Sequence, residues 1–209
     1  MTSSNDSPPP WSLVHLRVWV RQKSAAVIDP IVGLINRTGL TPNMLTFMGL
    51  LFNVGVAVVL ARGGIVPGGW LLLLATSFDA LDGSLARLTG RQSRFGAFFD
   101  STLDRYSEAV IYGGLLLYYV EQGARTEIAL VYAAIIGSLM VSYARARAEG
   151  LRFECKVGLA TRLERIILIA AGLILNRVTL ALWLVAILAN LTALQRIAHV
   201  WQKRDTLPG

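Results

Sequence analysis

Apolar and polar positions alternate along this chain on the scale of whole helices. Oily runs approaching the roughly 17–25 residues that cross a bilayer are separated by short stretches of glycine and charge. In order, the runs predict helices over about Met44–Leu60, Trp70 through Asp79 toward Arg87, Phe95 past Tyr119, Ile128–Glu149, Leu159–Leu175 and Thr179–His199. Gly63, Gly64, Pro67, Gly68 and Gly69 read as a turn between the first two, and the residues from Leu88 to Arg94 as a basic connection. Thr41-Pro42-Asn43 reads as a helix cap with proline at or near the first helical position. From Trp11 to Val32, Leu13, Leu16, Val20, Val27 and Ile31 lie among His15, Arg17, Arg21 and Lys23, a pattern suited to an amphipathic helix in the headgroup region. The expected fold is therefore all-α: a polytopic membrane protein of six transmembrane helices plus an N-terminal amphipathic interfacial helix. A single domain over 11–200 is expected between a disordered tail at 1–10, which lacks signal-peptide character, and a C-terminal tail at 201–209.

Composition strengthens the membrane reading. Of 209 residues, 54% are hydrophobic, well above the soluble average. The net charge of +7 suits either nucleic acid or an anionic membrane surface, and in so apolar a chain it points to the membrane, with no nucleic acid expected. Arginines and lysines collect near the N-terminus, at 87–94, at 145–165 and at Lys203 and Arg204, whereas the opposite turns keep Arg62, Arg125 and Arg177. By the positive-inside rule the first group, both termini included, is cytoplasmic. Cys155 stands alone and has no disulfide partner within the chain.

Four carboxylates interrupt the oil between positions 79 and 104. Asp79 and Asp82 are three residues apart and Asp100 and Asp104 four, so on helices each pair shares a face. Acids inside membrane helices are costly and usually mark a site, although any one of them could instead partner an arginine at a helix end. An oxygen-only set without clustered His or Cys favours a hard cation, Mg²⁺ or Mn²⁺, over zinc, and two such ions could clamp a diphosphate. Gly83 and Ala86 on one side and Gly96 on the other would let a ligand approach the backbone; helix packing in lipid explains each glycine alone equally well. Arg87 is a phosphate-binding candidate, while Arg91 and Arg94 serve equally as ordinary positive-inside charges.

The spacing Asp79-x2-Asp82-Gly83-x2-Ala86-Arg87-x8-Gly96-x3-Asp100-x3-Asp104 resembles the full signature of the CDP-alcohol phosphotransferases, with every defining position filled. That resemblance implies transfer of a phosphatidyl group from a CDP-linked lipid to an alcohol, release of CMP, and commonly a homodimer. It makes Asp79, Asp82 and Asp100 the principal metal ligands and Asp104 the general base, which also touches the second metal. Gly83, Ala86, Arg87 and Gly96 would line the cytidine diphosphate site, with Thr41, Pro42 and Asn43 as neighbours. A carboxylate near a metal-bound phosphate can take the acceptor hydroxyl's proton as the oxygen attacks phosphorus, which is consistent chemistry.

The acceptor is read from Ser142-Tyr143-Ala144-Arg145-Ala146-Arg147-Ala148-Glu149 and Arg162-Leu163-Glu164-Arg165. These resemble the phosphatidylinositol-phosphate synthases of the family, with Arg145 in place of a lysine and Thr161-Arg162-Leu163 in place of Glu-Arg-Pro. The resemblance assigns Ser142, Arg145 and Arg165 to the acceptor phosphate, and arginine keeps that role by paired hydrogen bonds. Glu149 and Glu164 would orient these arginines or pair with them, and Glu108, one turn beyond Asp104, is a candidate supporting partner for it. CDP-diacylglycerol with inositol phosphate is the leading substrate pair, glycerol 3-phosphate is the alternative acceptor, and a cation transporter is the rival from another class.

Overall fold

The computed structural model describes residues 39–203 and, apart from these, Gly33; positions 79, 80 and 82 are described as backbone alone. The expected amphipathic helix over Trp11–Val32 and the tail at 1–10 lie outside the described residues. Six helices and no strand occur among the described residues: α1 (Pro42–Ala61), α2 (Ile65–Leu88), α3 (Arg94–Glu121), α4 (Arg125–Gly150), α5 (Arg162–Ile174) and α6 (Val178–Gln202). Each coincides with one of the oily runs, and α6 continues to Gln202, two residues into the expected tail.

Local chemistry sets the ends. Thr41 caps α1, its Oγ1 accepting from the Met44 amide at 3.3 Å, and Pro42 takes the first helical position, where its missing N–H costs nothing. Ser93 does the same for α3, accepting from the Gly96 amide at 2.9 Å. The α1–α2 turn is shorter than expected, because α2 already begins at Ile65. Pro67 is tolerated there in the first turn, and Gly68 and Gly69 serve packing rather than turning: a Cβ on Gly68 would lie 2.9 Å from Leu60 Cγ, and one on Gly69 2.8 Å from Leu173 Cβ.

Each helix packs chiefly against two others, and the pairs close into a ring that runs α1, α3, α4, α6, α5, α2 and back to α1. Small residues bring the backbones together around it. A Cβ on Gly114 would meet Ala57 Cα at 2.8 Å between α3 and α1, and one on Gly137 would meet Ala189 Cβ at 2.9 Å between α4 and α6. The interior holds Val56, Leu60, Leu72, Ile111, Leu115, Val131, Ile169, Leu173, Leu182 and Val185. The outer faces are equally oily, with Phe47, Leu51, Val58, Trp70, Leu117, Leu180, Trp183, Ile187 and Leu194 exposed, whereas Asn53, Glu108, Arg165, Thr192 and Arg196 are buried. An apolar exterior around a core that admits charge is the distribution expected of a chain surrounded by lipid, and the protein is a multi-pass membrane protein.

Four helices, α1, α2, α4 and α6, are long and apolar enough to cross a bilayer. The other two depart from the uniform six-span expectation. α3 is 28 residues long but carries Arg94, Asp100, Asp104, Arg105 and Glu108 in its first fifteen positions. α5 has 13 residues, or about 20 Å of helix, because the chain from Gly158 to Thr161 stays non-helical and is tied to α6 instead of joining it. There the Ala160 amide donates to Thr192 Oγ1 at 3.1 Å and Arg196 Nε donates to the Val157 carbonyl at 2.9 Å.

Candidate functional site

The N-terminal ends of α1, α3 and α5 and the C-terminal ends of α2, α4 and α6 share one end of the ring, and two of the cavities there carry arginine in their walls. The first, about 490 Å³, lies where α2 and α3 part company, since both pack on α1 but make little direct contact with each other. Its walls are Pro42, Asn43 and Thr46 of α1, Gly83, Ala86 and Arg87 of α2, the Arg91–Arg94 connection, and Gly96, Ala97 and Asp100 of α3. Gly83 opens onto free space, as a Cβ there would meet only the tip of Arg87, at 3.5 Å. Gly96 is tighter, its Cβ position lying 3.0 Å from Ser93 Oγ and 3.4 Å from Asn43 Oδ1. The Arg87 guanidinium is steadied by Ser84 Oγ at 2.9 Å and remains exposed at the rim. Thr41 stays outside the walls and acts as the cap that sets Pro42 and Asn43.

The predicted carboxylates divide between α2 and α3. Asp79 and Asp82 fall in the last turns of α2, just before the wall residues Gly83 and Ala86, and Asp100 lines the cavity from α3. Asp104, one turn further along α3, is turned toward α5: its Oδ1 meets Arg162 Nη1 at 2.6 Å, and its Oδ2 lies 3.5 Å from Arg105 Nη1. Asp100 and the hydroxyls of Thr46 and Ser93, with no His or Cys among the lining residues, are oxygen donors of the kind that suits a hard divalent cation, and open space lies over Gly83 in the same cavity.

The second cavity, about 330 Å³, lies inside the ring and is lined by five arginines, Arg105, Arg145, Arg162, Arg165 and Arg196, together with Ser142, Thr161 and Thr76. The three residues expected at the acceptor phosphate, Ser142, Arg145 and Arg165, are brought together here from α4 and α5. Each arginine is held from behind. Arg145 pairs with Glu149 at 2.8 Å on the exposed side, and Arg196, besides Val157, donates to the Val141 carbonyl. Arg165 is fully buried, donating from Nε and Nη2 to the two oxygens of Glu108, both at 2.7 Å, and from Nη1 to the Ala160 carbonyl at 3.0 Å. Glu108 thus supports Arg165 rather than Asp104. Glu164 accepts a hydrogen bond from the hydroxyl of Thr161, the residue before α5.

Sequence reasoning left Arg105 and Arg196 unassigned and did not give Arg162 a place in the acceptor set. Arg105 carried a signal in its position beside Asp104. Arg196 carried none, being 31 residues beyond Arg165 in a helix with no other arginine, lysine or acid.

Comparison with known proteins agrees with this geometry. The family model for CDP-alcohol phosphatidyltransferase matches residues 39–202. The chain belongs to that family. Among curated relatives, a phosphatidylinositol phosphate synthase of Cutibacterium acnes is 39% identical, the match covering 68% of this chain and 70% of the relative. An archaetidylinositol phosphate synthase of Methanothermobacter thermautotrophicus is 38% identical over 84% of this chain and 89% of its own. Among solved structures, the phosphatidylinositol phosphate synthase of Mycobacterium tuberculosis with CDP-DAG bound superimposes with a TM-score of 0.81 at 30% identity, covering 85% of this chain and 94% of that one. The same enzyme has been solved in complex with manganese and citrate. As a CDP-alcohol phosphatidyltransferase, the protein is a transferase.

Proposed function

We propose that the protein transfers a phosphatidyl group from CDP-diacylglycerol to a hydroxyl of inositol phosphate, releasing CMP. The observation that carries this reading is a pair of unlike cavities at one end of the bundle, one bordered by Asp100 and glycine and one by five arginines, with Asp104, one turn along α3 from Asp100, paired to Arg162 of the second. The first suits a nucleoside diphosphate and the second an anionic acceptor; in support, curated relatives are named phosphatidylinositol phosphate synthases, and one such enzyme is solved with CDP-DAG bound.

In this reading Gly83, Ala86, Arg87 and Gly96, with Pro42 and Asn43 capped by Thr41, receive the cytidine diphosphate. Asp79, Asp82, Asp100 and Asp104 hold Mg²⁺ or Mn²⁺, two ions per site, which when bound neutralise charge on the diphosphate. Ser142, Arg145 and Arg165, joined by Arg105, Arg162 and Arg196, receive the acceptor phosphate and aim its hydroxyl at the donor. Asp104 takes the hydroxyl proton as the oxygen bonds to the lipid-linked phosphorus, and the bond from that phosphorus to the CMP oxygen breaks. α3 and α5 complete a bundle of six spans, the arginine-rich end faces the cytoplasm where soluble substrates arrive, and two copies form the working homodimer.

The test is CMP release by the purified protein in detergent with radiolabelled CDP-diacylglycerol, Mg²⁺ and a panel of acceptors. Release that depends on inositol phosphate is expected. Dependence on glycerol 3-phosphate alone would reassign the acceptor, and release without any acceptor, or none at all, would overturn the transferase reading and return the acids to an ion-transport role.

A further inference from the structure

Glu108 lines neither cavity, yet it is buried in the middle of a membrane helix with a charge that needs compensation. Its compensation is Arg165, which does line the arginine cavity. Burying such a pair gives little net stability compared with apolar residues of the same shape, so the pair calls for a reason beyond stability. The surroundings supply one. Five guanidinium groups around about 330 Å³ repel one another, and a long arginine with many rotamers would turn away unless tied down. Glu108 takes the Nε–Nη2 edge of Arg165 through both oxygens, while the Ala160 carbonyl takes one N–H of Nη1. Of the five N–H donors of a guanidinium, one on Nη1 and one on Nη2 are thereby left over, and their direction is set by the plane that Glu108 imposes.

Resting on the acceptor reading above, we infer that Glu108 is a positioning residue for the phosphorylated acceptor: it fixes the guanidinium of Arg165 toward the acceptor phosphate and so sets acceptor affinity without touching either substrate. It acts through Arg165, not through the aspartate cleft.

The experiment is steady-state kinetics of full-length Glu108→Gln and Glu108→Asp proteins, with inositol phosphate and CDP-diacylglycerol varied separately. Glu108→Gln removes the charge and one acceptor oxygen, and is expected to raise the KM for inositol phosphate about tenfold or more while the donor KM stays within about twofold. In an Arg165→Met background the same change is expected to add no further rise. A parallel rise in both KM values, an unchanged acceptor KM, or effects that multiply in the double variant would overturn the inference.

Should Glu108→Gln fail to fold because Arg165 is left as an uncompensated buried cation, Glu108→Asp decides, since it keeps the charge but withdraws the carboxylate by one methylene. A several-fold rise in acceptor KM alone is then expected, and a wild-type acceptor KM would refute the role. Loss of the transferase reading itself would be seen in the wild-type protein as missing acceptor-dependent release. In that event, thermal stabilisation by inorganic phosphate is compared between wild type and Glu108→Asp: a weaker shift in the variant supports positioning for an anion, and equal shifts refute it.

Discussion

Asp104 and Arg162 link α3 to α5, with Oδ1 and Nη1 2.6 Å apart. One turn deeper, Glu108 and Arg165 repeat the pairing at 2.7 Å. Asp104 and Glu108 are spaced i,i+4 and Arg162 and Arg165 i,i+3, so each pair of like charges shares a helix face and the two helices are cross-linked by two ionic rungs. The outer rung is partly accessible and the inner one is sealed, with side-chain exposures of 19% and 23% against 7% and 1%. The accessible rung is the one whose carboxylate is proposed to move a proton.

Replacing Asp104 with Asn keeps the shape of the outer rung but removes its base. Turnover is expected to fall by about 10²–10⁴-fold, while CMP binding, measured by titration calorimetry, stays close to wild type. Lost CMP binding would instead make Asp104 mainly a metal ligand.

Arg165→Ala leaves Glu108 as a sealed carboxylate without its counter-charge. Stability is expected to drop by about 3–5 kcal/mol, read as a lowered Tm in detergent, and Glu108→Gln on top of it should recover part of that loss.

Two neighbouring glycines on α3 separate packing from mere helix propensity. A Cβ on Gly114 would press on Ala57 backbone, its Cα 2.8 Å away, whereas one on Gly113 would meet nothing within 4 Å. Gly114→Ala should therefore destabilise by about 1–3 kcal/mol because backbone cannot step aside. Gly113→Ala should be neutral or slightly stabilising by Tm.

Gly83→Ala tests the nucleotide cleft without disturbing the bundle. The added methyl reaches only ordinary contact with Arg87 at 3.5 Å, so an unchanged Tm is expected. The same methyl enters the space assigned to the cytidine diphosphate, and the KM for CDP-diacylglycerol should rise about tenfold or more while the inositol phosphate KM holds.

Chelation of divalent cations should abolish CMP release and weaken CMP binding by calorimetry, and Mg²⁺ or Mn²⁺ should restore both. Zn²⁺ should restore neither, since an all-oxygen site offers it no nitrogen or sulfur.

The sequence by itself determined the six helices, because hydropathy runs and their glycine breaks are local quantities, and it determined the cap at Thr41-Pro42 for the same reason. It also placed the aspartates and glycines that give the family signature, since these lie within 26 consecutive positions on two adjoining helices. Only the tertiary structure decided the ring order, which depends on which glycines meet which neighbours, Gly114 on Ala57 and Gly137 on Ala189. It shortened α5, because the hydrogen bonds that hold Val157 and Ala160 outside the helix come from Arg196 and Thr192, more than 30 residues away. It also gave Glu108 to Arg165 rather than Asp104, and gathered Arg105 and Arg196 with the predicted Arg145 and Arg165. A charge in a membrane helix must find its partner across the bundle, and the choice among distant partners is made by packing, which no local pattern records.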